Sequence, residues 1–157
     1  MTASRSPYTR VRKPSRESSS MYFLGSTSHL VSLYRLAKAT LDLVSVGDPV
    51  ETEKDRLLNS FVSFASLLCK QIRDEGYWAD YIDPCSGLPM LTGGNKVYSE
   101  VEGMQLLLQY QQAMNAGSCK VLLHPQWGSS VYPASLFCTA PPEVVTRLLN
   151  ERLKPSS

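Results

Sequence analysis

The sequence predicts an α+β domain in which a single sheet carries helices packed on it. The chain has 157 residues, which is close to the common size of one domain and enough to bury a substantial core. Its 43% hydrophobic and 19% charged residues are ordinary for a soluble globular protein. Segments with apolar residues at helical spacing are separated by short apolar runs, bounded by glycine and proline, that are typical of strands.

Three segments are predicted to be helices. The first is expected to be capped by Thr52 and to end at Gly76, which suits the left-handed conformation that closes many helices. Its apolar stripe consists of Leu57, Leu58, Phe61, Phe64, Ala65, Leu68 and Ile72. The second helix is expected at 98–116, and the third begins at Pro141-Pro142, because proline is tolerated in the first turn.

Short strands are predicted at 77–82, 119–123 and 131–137, and the run 119–123 is typical of a central strand. Residues 30–46 fit two patterns, and periodicity alone leaves both open. The segment could form one helix, or it could form one strand near residue 32 and another through Leu41 and Leu43.

The basic residues at the start of the chain predict a disordered tail at 1–25, followed by the α+β domain at 26–157. The first 16 residues contain five bases and no acid. This composition fits a mitochondrial transit segment or a plain solvated tail, and both interpretations stay open. Nucleic-acid binding is not expected, because such proteins carry their basic surface in the folded part. No run reaches the roughly 18 apolar residues of a membrane span.

The four cysteines predict neither a zinc site nor a disulfide framework, because the chain has no CxxC pair, histidine cluster or export signal. Cys69 and Cys138 lie at core positions of predicted elements. Cys85 and Cys119 lie at element edges, where a thiol can be reached. Lys120 follows Cys119 and could favour a thiolate there, although strand cysteines also serve simply as packing residues.

The sequence lacks the common catalytic motifs, including phosphate-binding loops, the GxSxG elbow and HExxH. Residues 93–96 read GGNK and fit either an anion cradle or a plain turn. Asp80 and Asp83 would point to opposite faces of a strand, and Asp83 before Pro84 is expected to begin a turn. No catalytic residue is therefore predicted, and the protein is not expected to be an enzyme.

Two blocks of sequence resemble a known family. Residues 75–89 read EGYWADYIDPCSGLP, and residues 117–129 read GSCKVLLHPQWGS. In this order and at this distance, they resemble the signatures of the methylmalonic aciduria and homocystinuria type D protein family. The resemblance extends over about 30–149, and it favours the two-strand interpretation of 30–46, giving the element order β-β-α-β-α-β-β-α.

The resemblance implies a degenerate nitroreductase-like domain and a non-catalytic adaptor in intracellular cobalamin trafficking. Such a protein binds no cofactor alone and meets cobalamin only through its partner, the cobalamin-processing type C protein. It directs cobalamin to methionine synthase and methylmalonyl-CoA mutase, which implies a mitochondrial location, alone or together with the cytoplasm.

The second block also implies the site residues. A cysteine of this block is linked to cobalt in the family, which makes Cys119 the candidate thiolate ligand in a partner complex. Trp127 and Tyr81 are the candidate partner-binding residues, although an aromatic at position 127 could equally cap the core. The family pattern reads Gly-Cys-Cys-Lys-Val, whereas this chain has Ser118 before Cys119, so only one of the two thiols is present.

Two other functions remain as alternatives. The chain could be a structural subunit of a larger mitochondrial complex that kept the fold and lost the cobalamin function. It could also be a small flavin-dependent reductase, although Lys96 and Lys120 are the only cations between Arg73 and Arg147 that could meet a flavin phosphate.

Overall fold

The computed structural model describes residues 21–27, 30–36, 41–108, 111–114, 120–124 and 128–152. In chain order, these residues form the strands and helices β1 (Met21–Thr27), β2 (Leu30–Leu36), α1 (Asp48–Asp74), β3 (Ala79–Tyr81), α2 (Glu100–Leu108), β4 (Gln111–Met114), β5 (Lys120–Leu123), β6 (Val131–Cys138) and α3 (Pro142–Arg152). The predicted α+β class is confirmed.

The strands divide between two antiparallel sheets, where the sequence predicted one. The larger sheet has the order β1-β2-β6-β3, and the smaller consists of β4 and β5. In the larger sheet, Leu33 lies opposite Ala134 and Tyr81 lies opposite Leu136. Strands β2 and β6 are thus the interior strands of this sheet, and the run expected to be central, β5, belongs to the smaller sheet. The likeness to a nitroreductase-like domain stays a prediction.

Helix α1 begins one turn before the predicted cap at Thr52. The carbonyl oxygen of Gly47 accepts hydrogen bonds from the backbone N–H groups of Val50 and Glu51, at 3.0 and 3.2 Å. Pro49 does not oppose this start, because the first N–H groups of a helix have no partner within it. The predicted end is confirmed, since Gly76 has a φ of 87° and donates to the carbonyl of Arg73.

The main core lies between α1, α3 and one face of the larger sheet. On β6, the alternate residues Ala134, Leu136 and Cys138 face this core. The α1 side chains in the same core are Phe61, Ala65, Leu68, Cys69 and Ile72. The core positions predicted for Cys69 and Cys138 are confirmed, with 0% and 2% of their surface exposed.

Helix α2 lies on the opposite face of β6. Ser135 hydrogen-bonds Glu100 at the start of α2, and the Phe137 ring meets Tyr98 just before it, with ring centroids 5.2 Å apart. The same helix also packs against β4 and β5. Consequently β6 has helices on both faces, and α2 joins the larger sheet to the smaller one.

The second helix is shorter than predicted. It ends at Leu108, and 111–114 form β4, whose Met114 lies opposite Lys120 of β5. Glutamine, alanine and methionine favour helices, so it is the pairing with β5 that makes this segment a strand.

The N-terminal hairpin lies earlier than predicted, because β1 and β2 span 21–27 and 30–36. The tail therefore cannot extend to residue 25, and residues 1–20 lie outside the described residues. Leu41 and Leu43 follow the hairpin in a loop. Leu43 is buried there against Val50 and Leu57.

The adjacent residues Leu67 and Leu68 of α1 provide a matched test of this packing, because their exposed fractions are 50% and 0%. Truncation of Leu68 to alanine should lower the free energy of unfolding by about 2–5 kcal/mol, since it empties a buried site. Leu67→Ala should change it by at most about 0.5 kcal/mol. Urea unfolding followed by circular dichroism measures both, and equal losses would contradict this placement of α1.

Candidate functional site

The candidate thiol, Cys119, and its neighbour Ser118 lie outside the described residues. The structure fixes the chain on both sides of them, because Met114 of β4 pairs with Lys120 of β5. Residues 115–119 thus connect two antiparallel strands, and the helix expected to lead into Cys119 is absent from the described part of this region. The role of Cys119 stays a prediction.

Trp127 also lies outside the described residues, but the chain on either side of it is fixed. The backbone N–H of His124 donates to the carbonyl of Gly128, and the N–H of Gly128 donates to the carbonyl of His124, both at 2.9 Å. These two bonds close the segment that contains Trp127. Asp42, in the loop before α1, accepts a further hydrogen bond from the Ser129 hydroxyl.

Tyr81 lies in the core and not on the surface. Only 4% of it is exposed, and its ring packs edge-to-face on Phe61 with centroids 5.9 Å apart. Its ring therefore presents little surface to a partner, which corrects the prediction that it marks a partner-binding face. Trp78, three residues earlier in the chain, is 45% exposed.

The carboxylate of Asp80 organises the loop that follows β3. Asp80 is 1% exposed, although it is charged. Its oxygens accept hydrogen bonds from the backbone N–H groups of Tyr81, Met90, Leu91 and Thr92 at 2.7–3.2 Å. The Thr92 hydroxyl donates a further bond at 2.5 Å. Residues 90–92 are thus held against the β3 edge of the sheet.

Burial and hydrogen bonding act in opposite directions on the pKa of Asp80. Burial alone would raise it, because burial penalises the charged form. The bonds from Thr92, Leu91 and Tyr81 outweigh that effect, and the pKa lies below its ordinary value of 3.8. Asp80 therefore remains ionised at neutral pH and has a structural role.

Asp83 begins a turn, as the sequence predicted. It accepts hydrogen bonds from the backbone N–H groups of Cys85 and Ser86, at 3.4 and 3.0 Å. It also accepts a bond of 2.7 Å from the Ser86 hydroxyl. Asp80 and Asp83 thus hold two different segments of backbone, and they do not form a carboxylate pair.

Cys85 is an exposed thiol at this turn, which confirms its predicted position at an element edge. The hydroxyl of Tyr132, on β6, lies beside it. The GGNK segment at 93–96 is exposed and directly follows the residues held by Asp80. Within the described ranges, no group of three or more histidine, cysteine or acidic side chains could hold a metal ion.

A second buried carboxylate belongs to Glu100, the first residue of α2. It is 9% exposed, and it accepts hydrogen bonds from the backbone N–H and the hydroxyl of Ser135, at 2.9 and 2.5 Å. Burial raises its pKa to about 7, and the two Ser135 bonds only partly oppose this. Sequence reasoning did not single out Glu100, because an acid in the first turn of a helix ordinarily interacts with the exposed helix terminus.

His124, at the end of β5, is also buried, with 8% of its surface exposed. Burial lowers its pKa to about 4. Its imidazole is therefore neutral at neutral pH, and it adds no positive charge near the smaller sheet.

Gly103 on α2 provides room for the Tyr98 side chain. A β-carbon built at position 103 would lie 1.8 Å from the hydroxyl oxygen of Tyr98 and 2.5 Å from its Cζ. A larger residue would therefore displace either Tyr98 or the helix.

Fold and site together define a small α+β domain in which the buried carboxylate of Asp80 holds residues 90–92 and that of Glu100 bonds Ser135 of β6. The family model described as "Methylmalonic aciduria and homocystinuria type D protein" matches residues 19–149, and the chain belongs to this family. No helix among the described residues is long and apolar enough to cross a bilayer.

Several curated relatives carry the name "Cobalamin trafficking protein CblD". The Gallus gallus protein is 34% identical over 125 residues, which cover 79% of this chain and 42% of that protein. The Homo sapiens protein is 36% identical over 107 residues, covering 68% and 36%, respectively. The Rattus norvegicus protein is 33% identical over 126 residues, covering 80% and 42%. The chain thus spans about two fifths of the length of these relatives.

Replacement of Asp80 by asparagine should lower the free energy of unfolding at pH 7 by about 1–3 kcal/mol, because an amide has one acceptor oxygen and its NH2 group would face N–H donors. The lowered pKa of Asp80 stabilises the fold above its ordinary value of 3.8, and this contribution is lost as the pH falls through the folded-state value. The difference between wild type and variant should therefore shrink in acid.

Urea unfolding at pH 7 and pH 3 measures this change. Asp55→Asn is the matched control, because Asp55 is an exposed residue of α1 and its loss should cost at most about 0.5 kcal/mol. An equal effect of the two substitutions at pH 7 would contradict the role of Asp80.

Gly103→Ala should destabilise the protein by about 1–3 kcal/mol, because the added methyl group meets the Tyr98 side chain. In an open helix, the same change would instead stabilise by about 1 kcal/mol. Thermal unfolding measures the sign. When Tyr98 is first replaced by phenylalanine, Gly103→Ala should cost less stability, because the hydroxyl oxygen nearest to the added methyl group is absent. If Gly103→Ala instead raises the stability of the protein that retains Tyr98, this packing is refuted.

Proposed function

We propose that this protein is a non-catalytic adaptor in intracellular cobalamin trafficking. It binds the cobalamin-processing type C protein and passes that protein's cobalamin towards methionine synthase and methylmalonyl-CoA mutase. The chain binds no cofactor alone and meets cobalamin only in the partner complex. A mitochondrial location, alone or with the cytoplasm, follows from this role.

One observation carries the proposal: the family match spans residues 19–149 and so includes both signature blocks. The name of the relatives, which refers to cobalamin trafficking, supports the same role. The described residues add the architecture around the second block, in which β4 and β5 pair on either side of 115–119.

The thiol of Cys119 is the proposed contact with the cobalt of partner-bound cobalamin. A thiolate is a soft ligand that suits a transition metal, whereas a serine hydroxyl stays protonated and binds cobalt poorly. Position 118 is a serine in this chain, so thiolate ligation from this connection depends on Cys119 alone. Trp127, in the segment of the chain that follows β5, is the proposed partner contact.

The test is the visible absorption spectrum of type C protein loaded with cobalamin, recorded with and without this chain. If Cys119 reaches the cobalt, addition of the chain should shift the cobalamin bands, and Cys119→Ser should abolish the shift. Cys85→Ser is the matched control, because Cys85 is the exposed thiol of the described residues and should leave the shift intact.

A pull-down with the same partner separates binding from ligation. Binding without a spectral shift would refute the ligand role of Cys119 and keep the adaptor. Ser118→Cys would then show whether the thiol missing at position 118 is the one that reaches cobalt. Absence of any binding would refute the adaptor and favour the structural-subunit alternative.

A further inference from the structure

The carboxylate of Glu100 forms a polar link between helix α2 and strand β6. Glu100 is the first residue of α2, and both of its hydrogen bonds come from Ser135 in the middle of β6. On either side of Ser135, Ala134 and Leu136 face the opposite, apolar core. The seating of α2 on the larger sheet therefore involves a buried carboxylate and not only apolar contact.

No cation offsets the charge of this carboxylate among the described residues. Tyr98, from the loop before α2, is the titratable group that packs on the same face of β6 as Glu100. Tyr132 of β6 lies on the opposite face, against Leu43, Val50 and Leu57, and acts on Glu100 only through its weaker electrostatic interaction. Burial raises the pKa of each of these hydroxyls, so both are neutral at physiological pH. A buried carboxylate without a cationic partner is costly when ionised, because it loses hydration without gaining an ion pair.

We propose that Glu100 is a proton-controlled tether: it binds a proton when α2 is seated on β6, and loss of that proton weakens the seating of α2. In the protonated state, one oxygen can accept from the Ser135 N–H while the new O–H donates to the Ser135 hydroxyl. In the ionised state, both oxygens accept, but the charge lies in an apolar environment.

The direction of the pH dependence follows from the two states of the carboxyl. In the unfolded chain, Glu100 has the ordinary pKa of 4.5, whereas in the folded protein burial raises it to about 7. Between these values the folded state binds more protons than the unfolded state, so stability falls as the pH rises. The contribution of Glu100 is fully present below 4.5 and is lost once the pH has passed through 7.

The tether also affects the smaller sheet, because α2 packs against both β4 and β5. Weaker seating of α2 should therefore loosen the strands on either side of 115–119. A consequence for cobalamin transfer would rest on the proposed function. The tether itself is a property of the isolated chain, so its failure and the failure of the adaptor role are distinguishable.

The test compares Glu100→Gln with Glu102→Gln, an identical change at an exposed position of the same helix. In wild type, the folding equilibrium constant should fall by up to tenfold per pH unit between about pH 5 and pH 7 because of this group. Glu100→Gln should lose that component of the slope, and Glu102→Gln should keep it. The same slope in Glu100→Gln and wild type would overturn the proposal.

A local measurement decides whether α2 is the element released. Amide hydrogen exchange, corrected for intrinsic rates, should show lower protection of α2, β4 and β5 at pH 8 than at pH 6 in wild type. In Glu100→Gln the protection should not change. A loss of protection spread evenly over α1 as well would refute a tether that acts on α2.

Ser135→Ala keeps the proposal testable if Glu100→Gln does not fold. The Ser135 hydrogen bonds lower the pKa of Glu100, so loss of the hydroxyl should move the midpoint of the transition to higher pH. The carboxyl carbon resonance of Glu100 should titrate near 7 in wild type and higher in Ser135→Ala. A midpoint near 4.5 in wild type would overturn the proposal.

Discussion

The burial of strand β6 on both faces is the constraint on which the rest of the structure depends. Successive side chains of a strand point to opposite faces, so β6 must satisfy two different environments in turn. Ala134 and Leu136 pack under α1, whereas Ser135 bonds Glu100 beneath α2. A slip of one residue would bury the serine in the apolar core and leave Glu100 without its donors. The polar contact therefore specifies the register that the apolar contacts stabilise.

The two buried carboxylates on the α2 side of the sheet have opposite protonation behaviour. Asp80 lies opposite Phe137 and thus on the same face as Ser135. Five donors surround it and its pKa is lowered, whereas the two donors of Ser135 do not overcome the burial of Glu100. The number of donors to the charged form decides which group is a permanent anion and which exchanges a proton near neutrality.

The candidate thiol, Cys119, belongs to the connection between β4 and β5, the two strands of the smaller sheet. A helix leading directly into Cys119 would have placed this residue at a helix end. The pairing of Met114 with Lys120 instead places 115–119 between two antiparallel strands that pack on α2. Helix α2 thus contacts both strands that flank the connection containing Cys119.

The sequence by itself determined the α+β class, the long helix α1 with its end at Gly76, the turn at Asp83 and membership of the family. Each of these depends on local periodicity, on a single glycine or side-chain cap, or on contiguous motifs. Only the tertiary structure decided that 111–114 form a strand, that Tyr81 is buried and that Glu100 bonds Ser135. These outcomes depend on which distant element packs against a residue, and helix propensity or hydrophobicity does not encode that partner.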